Sequence, residues 1–100
     1  MKILLTGAAG FVGRPALDLL GADHEVTAFD IRAVAGCANA IAGDVLDYEA
    51  VMAAAAGHDA IVNTIMAPNP SYGDGGGGFT VNVTGVYNLL EAARAYGIKR

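Results

Sequence analysis

The sequence predicts an α/β domain in which a parallel sheet lies between two layers of helices, and three observations predict it. Short apolar runs alternate with helical stretches along the 100 residues, which is typical of right-handed strand–helix–strand crossovers. Hydrophobic residues make up 54% of the chain before its 14 glycines are counted, and this excess suits strands that are buried on both faces. The first apolar run leads directly into a glycine-rich turn.

The pattern predicts seven elements in the order strand, helix, strand, strand, helix, strand, helix. Asp47 is expected to cap the second helix and Gly57 to end it. Residues 31–37 are short and rich in Gly and Ala, so the second crossover is expected to be a loop or one helical turn. The strands are expected at residues 2–6, 25–29, 39–42 and 60–65, and the helices at residues 11–20, 48–56 and 79–96.

The expected order of strands in the sheet is 3-2-1-4. The fourth strand then lies at an edge, although it is an apolar run of the kind found inside sheets. Because an apolar edge strand invites pairing, more chain or another molecule is expected to cover it. Apolar residues at helical spacing also predict the buried faces of two helices. These are Phe11, Val12, Ala16, Leu19 and Leu20 in the first helix, and Phe79, Val83, Val86, Leu90 and Ala93 in the last.

Residues 66–78 are expected to form a loop, because they contain Pro68, Pro70 and four consecutive glycines at positions 75–78. A run of glycines is costly to order, so we expect the loop to be mobile. It follows the carboxyl end of a strand, where open α/β sheets bind ligands. A substrate lid and an ordinary surface loop are both open interpretations.

The glycine-rich turn at residues 6–13 reads T-G-A-A-G-F-V-G. A strand, three glycines at this spacing and a helix are typical of a site for a dinucleotide pyrophosphate. Gly7 allows the tight turn, Gly10 lets backbone approach the phosphates, and Gly13 lets the helix pack closely on the strand. The unpaired N–H groups of the helix and its dipole favour the anion. The alternative is an ordinary strand–helix turn in a protein rich in Ala and Gly.

Asp30 favours the dinucleotide interpretation over that alternative. It ends the second strand, seventeen residues after Gly13, and an acidic residue at about that distance binds the adenosine ribose hydroxyls. Its carboxylate also predicts NAD rather than NADP, because it repels a 2′-phosphate. Arg32 complicates this prediction, since an Arg near the ribose can accommodate that phosphate.

Composition excludes other classes of function. The net charge of −4, without a basic cluster, argues against nucleic-acid partners. No uncharged apolar stretch is long enough to span a membrane, and the chain enters a strand at once, so no signal peptide is expected. Cys37 has no internal disulfide partner, so a cytoplasmic location and a packed or loop thiol are expected. His24 and His58 are expected to be solvated loop residues, and no metal site is expected.

The chain resembles the extended short-chain dehydrogenase/reductase family, in particular its NAD-dependent epimerases and dehydratases. Five segments carry the resemblance, in order and at fitting spacing along the whole chain. They are the glycine turn, Asp30, G-D-V-L-D at residues 43–47, D-A-I-V-N at residues 59–63, and N-V-T-G-V-Y-N-L-L-E-A-A at residues 82–93.

The resemblance implies a Rossmann-type three-layer α/β/α fold, incomplete relative to the family, with NAD as the cofactor and NADP less favoured. It assigns the pyrophosphate to the glycine turn, the ribose to the end of the second strand, the adenine to the segment after the third strand, and the nicotinamide side to the loop after the fourth. Ile65 and Met66 depart from the small residues usual in the family. The residues implied are Gly7, Gly10, Phe11, Val12, Gly13, Asp30, Ile31, Arg32, Asp44, Val45, Thr64, Ile65, Met66 and Asn82.

Two of these assignments have alternatives. Asp44 is expected to face the exocyclic amine of adenine, but its carboxylate could instead cap a turn. Asn82 corresponds to a helix Asn that the family uses near the cofactor, but its side chain could instead bond local backbone.

Catalysis in the family requires Y-x-x-x-K and a preceding Ser or Thr, and this chain has no such motif. Residues 52, 76, 91 and 100, four positions after each Tyr, are Met, Gly, Glu and Arg. No catalytic residue is therefore expected in this chain. Residues 1–100 are interpreted as the N-terminal portion of an NAD-binding domain, with the catalytic and substrate-binding parts absent.

Three functions are left open by the sequence. The first, implied by the resemblance, is the NAD-binding portion of a sugar or sugar-nucleotide epimerase, dehydratase or dehydrogenase, which takes a small sugar-type substrate and is a homo-oligomer when complete. The second is a stand-alone dinucleotide-binding or redox-sensing module without turnover. The third is a structural half-domain that pairs with a second chain.

Overall fold

A computed structural model describes residues 1–67 and 77–100 and contains one parallel sheet of four strands in the order β3-β2-β1-β4. This confirms the predicted topology. The strands are β1 (Lys2–Thr6), β2 (Glu25–Asp30), β3 (Ala40–Ala42) and β4 (Ala60–Asn63), and the helices are α1 (Gly13–Gly21), α2 (Tyr48–Ala55) and α3 (Gly77–Tyr96).

Alternate residues of β1 point into two separate cores, which confirms the three-layer architecture. Ile3 and Leu5 pack with Leu17 of α1 on one side of the sheet. Leu4 lies on the other side, in a cluster with residues of α2 and α3 such as Val51 and Leu89. Because both faces of β1 are covered, the strand is a nearly continuous apolar run, as the composition indicates.

Helix α1 begins at Gly13, two residues later than predicted. The Gly10 N–H donates to the Gly7 carbonyl at 2.9 Å, and the Arg14 N–H donates to the Gly10 carbonyl at 3.0 Å, so residues 10–12 belong to the turn. Phe11 is consequently 97% exposed. The predicted buried face is wrong in part, because Phe11, Val12 and Leu19 are exposed, Ala16 and Leu20 are half-buried, and the buried side chain is Leu17.

Helix α3 buries a different face from the one predicted. The predicted stripe is exposed at Phe79, Val83, Val86 and Leu90, and Ala93 is half-buried. The helix instead packs on α2 and β4. It also places Gly85 against Val45, where an added Cβ would lie 2.8 Å from Val45 Cγ1. The close approach of Gly85 to Val45 therefore determines which face of α3 is buried. The buried residues among those described are Gly78, Gly85, Asn88, Leu89 and Ala92.

The ends of the remaining elements agree with most of the predictions. The Asp47 carboxylate accepts from the Ala50 N–H at 3.1 Å, which confirms it as the N-cap of α2. Gly57 has a φ of 79° just after that helix, where glycine is favoured. Strand β4 ends two residues earlier than predicted, at Asn63. Most of the predicted loop at residues 66–78 lies outside the described residues, but α3 already includes positions 77 and 78.

The segment after α3 returns to the outer edge of β4. The Arg100 carbonyl accepts a hydrogen bond from the Ile61 N–H at 2.9 Å. The edge strand is therefore partly covered, as expected, by chain that follows the last helix.

His58 and Cys37 are both half-buried. The Nε2 of His58 lies 2.9 Å from Thr27 Oγ1, so the prediction of a solvated loop residue is wrong for His58. The Cys37 thiol donates to the Asn39 carbonyl at 3.2 Å, which confirms a packed thiol.

Candidate dinucleotide-binding site

The glycine turn lies at the carboxyl end of β1, between the ends of β2 and β4. Gly7 has a φ of 76°, a conformation that glycine adopts without strain. Its N–H donates to the Phe29 carbonyl of β2 at 2.9 Å. The turn is therefore bonded to the neighbouring strand before α1 begins.

The three glycines of the turn are required for different reasons. A Cβ on Gly13 would lie 1.9 Å from the Gly7 carbonyl oxygen, and a Cβ on Gly7 would lie 2.8 Å from the Ile65 nitrogen. Both positions are thus enclosed by protein atoms. A Cβ on Gly10 would approach nothing closer than the Gly7 oxygen at 3.1 Å among the described residues. Gly10 therefore leaves room for a ligand, whereas Gly7 and Gly13 serve the packing of the turn.

Asp30 joins the end of β2 to the glycine turn. Its Oδ2 accepts from the Ala9 N–H at 3.0 Å, and its Oδ1 accepts from the Arg32 N–H at 2.8 Å. Burial raises the pKa of the Asp30 carboxyl, but these backbone hydrogen bonds and the Arg32 guanidinium outweigh that effect and hold the pKa below its ordinary value. The carboxylate is therefore charged at neutral pH, and its Oδ2 can still accept from a ribose hydroxyl.

The Asp30 carboxylate should make the protein less stable in acid. Its pKa is lower in the folded than in the unfolded state, so its stabilisation is complete at neutral pH. This stabilisation declines near the unfolded value of about 4 and is lost as the pH falls through the folded pKa. We expect Asp30→Asn to lower the free energy of unfolding at pH 7, and the difference from wild type to shrink below about pH 4.

Chemical denaturation at a series of pH values measures this difference. Asp18→Asn is the control, because that side chain is 69% exposed and lies 3.9 Å from its partner Arg14. It should change the free energy of unfolding by less than about 0.5 kcal/mol. A constant difference between wild type and Asp30→Asn from pH 7 to pH 3 would contradict the prediction.

Arg32 and Ile31 border Asp30 at the surface. The Arg32 Nε lies 3.4 Å from the Asp30 Oδ1, and the Arg32 side chain is 65% exposed. Ile31 is 70% exposed. The structure thus brings all three predicted ribose residues to one side of the glycine turn.

Asp44 and Val45 follow β3, and the structure places their side chains differently. Asp44 is exposed, and its Oδ1 accepts from the Leu46 N–H at 2.9 Å, so it does cap a turn. Val45 is buried in the core, with its carbonyl held by the Asn88 Nδ2 at 2.9 Å. Contact of these two residues with adenine stays a prediction, in which Asp44 supplies the exposed polar group.

The loop after β4 closes over the glycine turn. Thr64 Oγ1 donates to the Thr6 carbonyl at 2.8 Å and lies 3.2 Å from the Gly7 carbonyl. Ile65 is half-buried and Met66 is exposed. The predicted residues Thr64, Ile65 and Met66 therefore stand beside the turn, with Thr64 bonded to it.

Sequence reasoning did not select Thr6 and Asn63 as site residues. Thr6 Oγ1 donates to the Asn63 Oδ1 at 2.7 Å. Asn63 Oδ1 also accepts from the Ile65 N–H at 3.1 Å. This pair fixes the loop after β4 relative to β1. A polar residue at the carboxyl end of each of two neighbouring apolar strands is the pattern that could have identified them.

Asn82 lies in the first half of α3. Its Oδ1 accepts from the Ala67 N–H at 3.0 Å, so the side chain does bond backbone, and its contact with a cofactor stays a prediction. This bond connects Ala67, in the segment that follows β4, to α3.

Other kinds of site find no support in the part of the chain that the structure describes. No group of three metal-binding side chains occurs there, and none of its helices is long and apolar enough to cross a membrane. Two open hollows around His58 lie near the amino ends of the strands, away from the glycine turn. The carboxyl end of the sheet, where open α/β sheets bind ligands, is therefore the candidate site.

A model of the NAD-dependent epimerase/dehydratase family matches residues 3–100. The chain belongs to this family. The family is NAD-dependent, and its match to nearly the whole chain confirms the resemblance drawn from the five sequence segments. The strand order and the layers described above agree with the Rossmann-type fold that the resemblance implies.

Three relatives show how much of such a protein the chain represents. It is 40% identical to L-arabinose 1-dehydrogenase (NAD(P)(+)) of Haloferax volcanii, over 99% of this chain and 38% of that protein. It is 37% identical to 2-alkyl-3-oxoalkanoate reductase of Stenotrophomonas maltophilia, over 100% of this chain and 32% of that protein. It is 34% identical to a mutant uronate dehydrogenase of Agrobacterium tumefaciens complexed with NAD, with a TM-score of 0.82 over 96% of this chain and 37% of that one. The chain thus spans about a third of the length of these relatives.

Proposed function

We propose that this chain is the NAD-binding portion of an enzyme that transfers hydride to or from a sugar or sugar derivative. The observation that carries the proposal is the bond from the Ala9 N–H to the Asp30 Oδ2 at 3.0 Å. It joins the predicted ribose carboxylate to the predicted pyrophosphate turn, so both halves of an adenosine diphosphate group would meet one rigid surface.

The residues of this surface suit the parts of NAD in order. The N-terminus of α1 and the open space at Gly10 suit the pyrophosphate, because unpaired helical N–H groups attract anions. Asp30 would accept from the adenosine ribose, and Asp44 would face the adenine. Thr64, Ile65 and Met66 would border the nicotinamide, which supplies hydride transfer when bound.

The sequence lacks the motif that the family uses for the accompanying proton transfer. Oxidation of an alcohol requires a base whose pKa lies near the working pH, and the sequence has no Tyr–Lys pair of the family's type. We therefore propose that the catalytic and substrate-binding residues lie outside these 100 residues. Two of the three relatives described above are named as sugar or sugar-acid dehydrogenases, which supports a sugar-type substrate.

The exposed apolar side chains of α3 support the expectation that the complete protein is a homo-oligomer. Phe79, Val83 and Leu90 are 72%, 48% and 63% exposed, and apolar side chains of this kind favour association. The negative net charge supports the expectation that nucleic acid is not a partner, and the single cysteine supports a cytoplasmic location.

The 100-residue chain should bind NAD without turning over any substrate. We expect NADH formation, followed by absorbance, with a longer natural reading frame that carries this chain and none with the chain alone. The substrate panel contains aldoses, uronic acids and sugar nucleotides. It also contains a 3-oxo acid, because one relative is named as a 2-alkyl-3-oxoalkanoate reductase and a substrate of that class is the alternative. Turnover by the isolated chain would contradict the assignment of catalysis to other residues. Binding of NAD without turnover by the longer protein would favour a non-catalytic module.

A further inference from the structure

Residues 31–39 connect β2 to β3 without a helix, and the structure describes all of them. The backbone follows turns instead, and Gly36 has a φ of 72°, a conformation that glycine adopts without strain. Such a segment lacks the repeating hydrogen bonds that make a helix rigid on its own. Its position against the sheet therefore depends on contacts with other elements.

Two side chains of this segment pack on the core. Val34 and Cys37 are half-buried and lie against the cluster that includes Leu17 of α1. The Cys37 thiol also donates to the Asn39 carbonyl at 3.2 Å. Ala35 lies between these two side chains and is exposed, so its backbone is held by a contact of a different kind.

Arg14 makes that contact and joins the segment to the glycine turn. Its backbone N–H donates to the Gly10 carbonyl at 3.0 Å, and its Nη1 donates to the Ala35 carbonyl. Its Nη2 lies 3.4 Å from the point that a Cβ on Gly36 would occupy. The Arg14 Nε is 3.9 Å from the Asp18 Oδ1, so the ion pair is long and the carbonyl is the nearer partner. One residue therefore bonds to the turn and to the segment after β2.

We propose that Arg14 is a positioning residue of the cofactor site, which holds residues 31–37 against α1 and so fixes the wall beside the adenosine ribose. This inference rests on the proposed function, which assigns that ribose to Asp30. Only two residues separate Arg32 from Ala35, a span of at most about 10 Å. A fixed Ala35 consequently restricts where the exposed Ile31 and Arg32 lie.

Without the Arg14 side chain, the segment would be free to move before the cofactor binds. Binding would then have to order it, and the entropy lost lowers affinity. The effect is confined to the adenosine half, because the loop expected to border the nicotinamide is bonded to β1 and the glycine turn instead. There Thr64 Oγ1 donates to the Thr6 carbonyl at 2.8 Å and lies 3.2 Å from the Gly7 carbonyl.

Calorimetric titration with NAD and with 5′-AMP tests the proposal, with a longer natural reading frame that carries this chain. Arg14→Met keeps most of the aliphatic side chain and removes its donors. We expect it to raise both dissociation constants by the same factor, about five- to tenfold. Arg14→Lys still donates to one carbonyl and should recover part of the affinity.

Hydrogen exchange and thermal unfolding separate positioning from a general loss of structure. In Arg14→Met, exchange should become faster at the backbone N–H groups of residues 33–37 and stay unchanged in the sheet. The unfolding temperature should stay within about 3 °C of wild type. Asp18→Asn is the matched control, because it removes the ion pair and leaves the bond to Ala35. It should leave both dissociation constants unchanged.

Gly36→Ala disturbs the same segment independently, since alanine rarely adopts a φ of 72°. It should also weaken both ligands. Because the two changes act through one segment, the double variant with Arg14→Met should weaken binding by clearly less than the product of the two separate factors.

Unchanged affinity for NAD and 5′-AMP in Arg14→Met would overturn the inference and leave the proposed function intact. A loss of affinity accompanied by faster exchange throughout the sheet would overturn it too, as would separate factors that multiply in the double variant. Wild type that binds neither NAD nor 5′-AMP would overturn the proposed function and the inference with it.

Discussion

Gly13→Ala is expected to destabilise the protein strongly. The new Cβ would lie 1.9 Å from the Gly7 carbonyl oxygen and 2.7 Å from its carbon. Neither atom can move alone, because Gly7 is bonded to Phe29 and Thr64. We expect a loss of at least about 3 kcal/mol, the upper end of the overpacking range. Native domains have only about 5–15 kcal/mol in total, and thermal unfolding followed by circular dichroism measures the loss.

The control is Gly21→Ala, at the other end of the same helix. A Cβ there would meet no atom within 4 Å among the described residues, and alanine favours helix over glycine by up to about 1 kcal/mol. This variant should match or exceed the stability of wild type. If Gly13→Ala unfolds at the same temperature as Gly21→Ala, the close packing of Gly13 on Gly7 of the glycine turn is wrong.

Gly10→Ala is expected to preserve the fold and lose the cofactor. Its Cβ would lie 3.1 Å from the Gly7 oxygen, a contact that small adjustments relieve, and 3.8 Å from the flexible Arg32 side chain. The methyl group would, however, occupy the space through which the pyrophosphate approaches backbone. We expect the dissociation constant for NAD to rise about 30-fold or more, which corresponds to about 2 kcal/mol.

Calorimetric titration with NAD and thermal unfolding without it separate the two effects. The unfolding temperature of Gly10→Ala should stay close to that of wild type, in contrast to Gly13→Ala. Unchanged NAD affinity in a folded Gly10→Ala protein would show that the ligand does not approach the turn at this position.

The sheet and the position of the site could be predicted because local patterns determine them. Apolar runs separated by helices specify parallel crossovers, and glycines at positions 7, 10 and 13 occur where the backbone needs them. Asp30 could be found by its distance from that turn alone. Each of these features depends on residues that are near in sequence or on a spacing that the fold imposes.

The buried face of α3 could not be predicted, because both sides of the helix carry apolar residues. Periodicity selects the larger ones, such as Phe79 and Leu90, which are exposed. The face that packs carries Gly85, which closely approaches Val45, and Ala92, which lies in the same buried cluster as Val45. Such a contact joins positions far apart in sequence, and no local pattern reports it. The same holds for the bond between Thr6 and Asn63.

The contacts between α3 and Val45 have a consequence for genetic experiments. Asn88 holds the Val45 carbonyl and Gly85 admits its side chain, although both lie about forty positions downstream of it. Substitutions at either residue would displace Val45, which lies beside the expected adenine position, although neither residue would contact the ligand. A random-mutagenesis screen for weakened nucleotide affinity should therefore return alleles in the interior of this helix, and such alleles should not be mistaken for direct contacts.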